Sequence, residues 1–163
     1  MNKQDNFIIS KRHNTRSLAV SVMYSLDLQK KLLEEENKNE FLEETINDIL
    51  VMSQTEFLSD LFPTLFNLDY LKELSSKAYL NVKEIDEIIG SSLVKYTIDR
   101  LSYVDRAIIR VAVAEMLIGK VAKNIIIDEA LELTKELTSV DSDKQVKFNN
   151  RLLDSIAGKV YGN

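Results

Sequence analysis

The chain of 163 residues has no cysteine and no tryptophan, one histidine, one proline and four glycines. Each shortage removes a class of protein. Without cysteine there are no disulfides and no thiolate metal sites, and nothing suggests secretion. His13 alone cannot supply a cluster of zinc ligands, and any Ser-His-Asp arrangement would have to use it. It sits among basic residues, with no carboxylate close in sequence to orient it. Gly90, Gly119, Gly158 and Gly162 are too scattered for a phosphate-cradling loop of the GxGxxG or GxxxxGK kind. No catalytic residue, metal site or cofactor is expected.

Long apolar runs are missing as well. The longest stretch without a charge, Ser17–Leu26, has ten residues, about half of what a membrane-spanning helix needs. The opening "MNKQDNFIIS" offers only Phe7, Ile8 and Ile9 as an apolar patch, too short for a signal peptide. A soluble, cytoplasmic protein is expected, monomer or homodimer, with no membrane partner.

What is present points to helices. Leu, Ile, Glu and Lys dominate, while the turn formers that an antiparallel sheet needs are scarce. The hydrophobic share of 45% and the charged share of 29% suit a globular protein. The length fits one domain over 1–163, with a flexible N-terminal tail at about residues 1–10. Charge is unevenly spread: residues 1–33 carry six basic and two acidic side chains, residues 34–90 four and fourteen, and residues 91–163 eleven and ten. The acid is concentrated in the middle, which leaves the first helix and the C-terminal half free to form a positive face.

The apolar spacing predicts a first helix over Asn14–Leu33, with Leu18, Ala19, Val22, Met23, Leu26 and Leu33 inward. A second helix is predicted over Phe41–Met52, followed by a break at Phe62 imposed by Pro63. Helical spacing from Tyr70 to Ile89, through Leu71, Leu74, Ala78, Val82, Ile85 and Ile89, fits one long helix, or two if Asn81 and Glu84 cap a new start. A short helix over Leu93–Ile98 is expected next. Ser102 and Asp105 form a capping-box pattern for a helix that ends at Gly119. "NIIIDEALELTKEL" follows, with Ile126, Ala130, Leu133 and Leu137 on one stripe. Ser142 and Gln145 repeat the capping pattern before a last helix with Val146, Leu153, Ile156 and Val160 inward. The fold class is all-α, with six or seven helices.

Lys11, Arg12, His13 and Arg16 crowd the predicted first turn of the first helix. The helix dipole disfavours cations there, whereas free N–H groups beside positive charge receive an anion such as phosphate. Ordinary surface scatter explains the same cluster.

Four motifs in order carry a resemblance. "RSLAVSVMYSLDL", "RLSYVDRAIIRVAVAEML", "IIIDEALELTKEL", and Asp141-Ser142 followed by "KFNNRLLD" are similar to successive motifs of the NusB transcription antitermination family. They cover about Arg12–Leu28 and Arg100–Asp154. The resemblance implies two small helical bundles packed together. It implies binding of the boxA element of ribosomal RNA leader transcripts, alongside a small-subunit ribosomal protein, NusE, within the transcription elongation complex. Carried over residue by residue, it makes Arg12, Arg16, Arg100, Asp141 and Phe148 RNA-facing, and Tyr24 and Asp105 partner-facing. Bland roles fit several of these: Phe148 in the core, Tyr24 at its rim, Asp105 as a cap. Arg110 and Glu115 read as structural ion-pair partners. The chain departs from the family at Asn149, where Val is usual, at Arg151, where Gly is usual, and in three extra residues between Ser142 and Lys147. Two other readings are a helical protein-interaction module that has lost RNA binding, and an RNA-recognition fragment of an RNA cytosine methyltransferase.

Overall fold

The computed structural model describes residues 2–56, 62–138 and 141–162, and among them are seven α-helices, two 3-10 turns and no strand. The helices are α1 (Lys3–Leu28), α2 (Lys38–Glu56), α3 (Leu68–Leu80), α4 (Val82–Ser92), α5 (Tyr103–Ile118), α6 (Lys123–Leu137) and α7 (Ser142–Tyr161). The 3-10 turns are Phe62–Thr64 and Ile98–Arg100. One bundle is α1, α2 and α3, the other α4, α6 and α7, and α5 packs against both. Every residue of α5 from Asp105 to Met116 is buried. A helix enclosed on all sides must be apolar all round, or else pair its polar groups.

The helix boundaries follow from local chemistry. Ser102 Oγ accepts the Asp105 N–H at 3.1 Å and donates to the Asp105 carboxylate at 2.7 Å, which starts α5. Gly119 ends it in the left-handed region at φ 79°, where only a residue without Cβ sits freely. Asn81 separates α3 from α4, so the Tyr70–Ile89 run is two helices. Its side chain donates to the Lys77 carbonyl at 3.1 Å, closing α3 rather than capping α4.

Several expectations are corrected. The first helix begins eleven residues early, at Lys3, because Asn2 and Asp5 form a capping box: Asn2 Oδ1 accepts the Asp5 N–H at 2.8 Å. Residues 3–10 are therefore helix instead of a tail. Lys11, Arg12, His13 and Arg16 lie in the middle of α1, away from its N-terminal dipole. At the other end α1 stops at Leu28; Lys30 turns the chain at φ 58°, so Leu32 is buried and Leu33 exposed. Leu93–Tyr96 is not helical, and only the 3-10 turn Ile98–Arg100 forms there. Leu137 lies exposed on α6. The second capping box is absent: Asp141 precedes α7 at φ 52° without a side-chain cap, and Gln145 donates forward to Asn149 at 3.0 Å.

Three polar nodes tie the helices together. Arg110 of α5 holds Asp86 of α4 through Nε at 2.8 Å and Nη2 at 3.1 Å, and Asp27 of α1 through Nη1 at 2.9 Å. Arg106 adds an ion pair to Asp27 at 3.0 Å and places its guanidinium 4.1 Å over the Tyr103 ring. On the far side of α5, Glu115 accepts Arg16 Nε from α1 at 2.8 Å and the Tyr70 hydroxyl from α3. Burial disfavours the Arg16 charge, but the bond and charge of Glu115 outweigh it and raise the pKa. Burial and the bond to Glu115 likewise push the Tyr70 hydroxyl well up, so it stays a donor. In the third node Asn149 of α7, fully buried, donates to Asp105 of α5 at 3.2 Å and to Thr134 of α6 at 3.1 Å. Valine at 149 would leave that Asp105 oxygen without this donor.

His13 links α1 to α6. Its Nδ1 lies 2.8 Å from Glu129 and its Nε2 3.0 Å from Glu136. Partial burial lowers its pKa, yet the hydrogen bonds and charges of the two carboxylates win, and the net shift is upward.

Two expectations follow for stability. Arg110→Met leaves Asp27 and Asp86 facing each other without their shared cation, and should cost on the order of 3 kcal/mol in denaturant unfolding. For His13 the folded pKa lies above the unfolded value of about 6.5, so its stabilisation is complete below that value and is lost as pH rises through the folded pKa. The melting temperature at low salt should therefore fall as pH is raised from about 6 through neutrality. His13→Gln should remove that slope; an unchanged slope would exclude the His13 pairs as its source.

Candidate nucleic-acid interface

The residues expected to face RNA or a partner divide into exposed and buried sets. Arg12 is exposed on the third turn of α1. Arg100 is exposed in the 3-10 turn before α5. Asp141 is exposed immediately before α7, and Phe148 is half-buried two turns into it. Tyr24 is half-buried on α1, edge-to-face with Tyr103 at 6.4 Å between centroids.

Arg16 and Asp105 belong inside. Arg16 is only 4% exposed, its guanidinium directed at Glu115 and lying 3.7 Å from Glu129 at Nη1. An arginine neutralised by a buried carboxylate has no charge to offer a phosphate, so the expected RNA contact at Arg16 is withdrawn. Asp105 is 6% exposed, and its two oxygens are engaged by Ser102 and Asn149. The expected partner contact at Asp105 gives way to a structural one, the cap of α5 and its tie to α7.

The helix packing sets Arg12 near the start of α7. The His13–Glu136 contact lays the turn of α1 that carries Arg12 beside the last turn of α6. From there the chain runs to Asp141 and α7. Along α7, Lys144, Lys147 and Arg151 are exposed at three- and four-residue steps, and Phe148 shares their face. None of the three cations is ion-paired among the described residues, whereas Arg16, Arg106 and Arg110 all are. The row spans about 10 Å of helix at 1.5 Å per residue. In the sequence this row is less conspicuous than the basic cluster of α1, whose cations are nearly contiguous. The i, i+3, i+7 spacing of Lys144, Lys147 and Arg151, opposite the stripe of Leu153 and Ile156, was the available signal.

Tyr24 opens onto a different surface. Between α1, α2, α5 and α6 lies an apolar groove of about 390 Å³, lined among others by Tyr24, Leu28, Ile49, Val104 and Leu137. Leu28 at 48% and Leu137 at 45% exposure are large apolar side chains left in solvent, the mark of a surface that another molecule covers.

Comparison with known proteins fits this geometry. A family model described as the NusB family matches residues 13–158. The transcription antitermination protein NusB of Campylobacter hominis is 31% identical over 149 residues, which make up 91% of this chain and 97% of that protein. Among solved structures, NusB of T. maritima matches with a TM-score of 0.69 at 25% identity, covering 91% of both chains. A chain from the complex of the antitermination factors NusB and NusE with double-stranded RNA matches with a TM-score of 0.64 at 26% identity, covering 90% of this chain and 96% of that one. The helical bundles joined through α5 and a family match over most of the length lead to one assignment: the chain belongs to the NusB family.

Proposed function

We propose that this protein is an RNA-binding transcription antitermination factor that engages a boxA-type ribosomal RNA leader together with the small-subunit ribosomal protein NusE. It acts by binding, as an accessory of the elongation complex, with residues 1–163 as one unit. The observation that carries the reading is the outward row of Lys144, Lys147 and Arg151 on α7, unpaired among the described residues, on a chain that buries Arg16, Arg106 and Arg110 in ion pairs. Family membership supplies the ligand class, and NusB–NusE–RNA complexes exist among its structural neighbours.

Asp141 opens this face and Phe148 lies further along α7; in this reading Arg12 and Arg100 extend it. A single strand following α7 would meet cations for its phosphates and an aromatic ring for its bases. Asp141, exposed and negatively charged, accepts hydrogen bonds from base amino groups rather than meeting phosphate. The ribosomal protein would occupy the apolar groove at Tyr24, so RNA and partner use separate surfaces. No helix among the described residues is long and apolar enough to cross a membrane, and action in the cytoplasm, with the transcription machinery, is part of the proposal.

The RNA face is tested by salt titration. Each phosphate contact on a single strand contributes a log–log slope of about −0.7, so Lys144→Ala with Lys147→Ala should weaken boxA-type RNA binding and shallow the slope by about 1.4. Arg16→Ala should act otherwise, lowering the melting temperature by stranding Glu115, with no comparable change in slope. A double lysine variant that binds like the parent at every salt concentration would shift the reading towards a protein-interaction module. The partner groove is tested by Leu28→Asp, which should reduce capture of the ribosomal protein about ten-fold or more while the melting curve stays in place. Undiminished capture would remove the groove from the interface.

A further inference from the structure

We propose that the non-helical segment between α4 and the Ile98–Arg100 turn, together with α7, forms a clamp for one unstacked nucleobase, built from Tyr96, Phe148, Lys95 and Arg151. This rests on the RNA-binding reading above and adds to it one defined base site, with Tyr96, Lys95 and Arg151 as its new residues.

The clamp is assembled from two elements that the sequence keeps fifty residues apart. Lys159 of α7 donates to the Ser91 hydroxyl at 3.0 Å, and Ser155 meets Ser92 at 3.2 Å, which fastens the end of α4 against α7. The chain then leaves α4 from a fixed point, and Tyr96 reaches Phe148 of α7 with ring centroids 6.4 Å apart and planes at 66°. An edge-to-face pair does not cover both rings, and Tyr96 remains 54% exposed. The two rings edge a groove of about 360 Å³, with Leu93 and Leu152 lining it and Lys95 and Arg151 as the charged residues on its wall. That volume lies within the range of small-ligand clefts, roughly 300–1,000 Å³.

The chemistry selects the occupant. An apolar, aromatic wall with two cations and no carboxylate suits a flat ring attached to an anion. A nucleobase with its own phosphate is that combination: the base stacks on the exposed tyrosine and the phosphate meets arginine or lysine. An acidic or purely aliphatic peptide would leave one half of the site unused. Phosphate alone would leave the rings unused. In a duplex the bases are already stacked on each other, so only a single strand or a loop can deliver one to the clamp.

The test uses the full chain, a single-stranded boxA-type RNA with 2-aminopurine placed singly at successive positions, and a duplex RNA of the same length. The parent should quench the probe at one position when it stacks. Tyr96→Ala and Tyr96→Leu should both weaken single-strand binding about ten-fold or more, relieve that quenching, and leave the salt slope and duplex affinity as they were. Tyr96→Phe should keep the parent's behaviour, since the ring is retained. Arg151→Ala should shallow the single-strand salt slope by about 0.7. The exposed position of Tyr96 predicts an unchanged melting temperature. Should Tyr96→Leu and Arg151→Ala bind single strands as the parent does, with quenching intact, the clamp is wrong and the RNA-binding reading stands. Loss of ribosomal-protein capture with RNA binding intact would assign the site to a protein instead. A parent that binds no RNA overturns both readings together.

Discussion

A charge inside a helical core must be met by an opposite charge or by hydrogen-bond donors, and α5 carries four. Asp105 is met by Ser102 and Asn149, the other three by charged groups of other helices. Arg106, Arg110 and Glu115 are all buried, and leaving any one unpaired would cost several kcal/mol. Their partners come from everywhere around: Asp27 and Arg16 from α1, Asp86 from α4, Tyr70 from α3. The apolar residues of α5 tolerate small rotations of their neighbours; the ion pairs do not, because a guanidinium fork meets a carboxylate in few geometries. What these pairs contribute is register between helices more than net stability, and both bundles take their setting from α5.

That register decides which cations are left for function. Arg16 and His13 are drawn inward by Glu115, Glu129 and Glu136, so of the basic cluster on α1 Arg12 and Lys11 are the two without an ion pair among the described residues. The Asn149 node does the same service for α7. By bonding to Asp105 and Thr134 it fixes the rotation of the helix about its axis, and the opposite face, with Lys144, Lys147 and Arg151, is turned to solvent. A functional surface here is the complement of an internal pairing scheme: the charges that find no partner inside are the ones available to a phosphate backbone. The groove at Tyr24 follows from the same packing, since α2 and α6 flank α1 without covering Leu28.

Asn149 and Arg151 sit on opposite sides of α7, one buried and one exposed. Asn149 has its amide bonded to three neighbours, a polar tie between α5, α6 and α7. Arg151, on the outer face, adds a cation beside Tyr96 and Phe148. One residue helps hold α7 in place and the other is part of what α7 presents.

The sequence by itself determined the fold class, the positions of most helices and the family. Periodicity placed Leu71, Leu74, Ala78, Val82, Ile85 and Ile89 inward, and all six are buried. The Ser102 cap and the Gly119 stop were legible because their determinants lie within a few residues of one another. Even the early start of α1 was written in Asn2 and Asp5, though apolar spacing alone does not reveal it. Only the tertiary structure decided which charged residues face water. Arg12 and Arg16 are four residues apart with identical side chains, one exposed and one buried against a carboxylate ninety-nine residues away. No local pattern separates them, because the energy of a buried charge is set by the partner that folding brings to it. For the same reason Tyr96 and Phe148, distant in the chain, became neighbours only once α4 was fastened to α7.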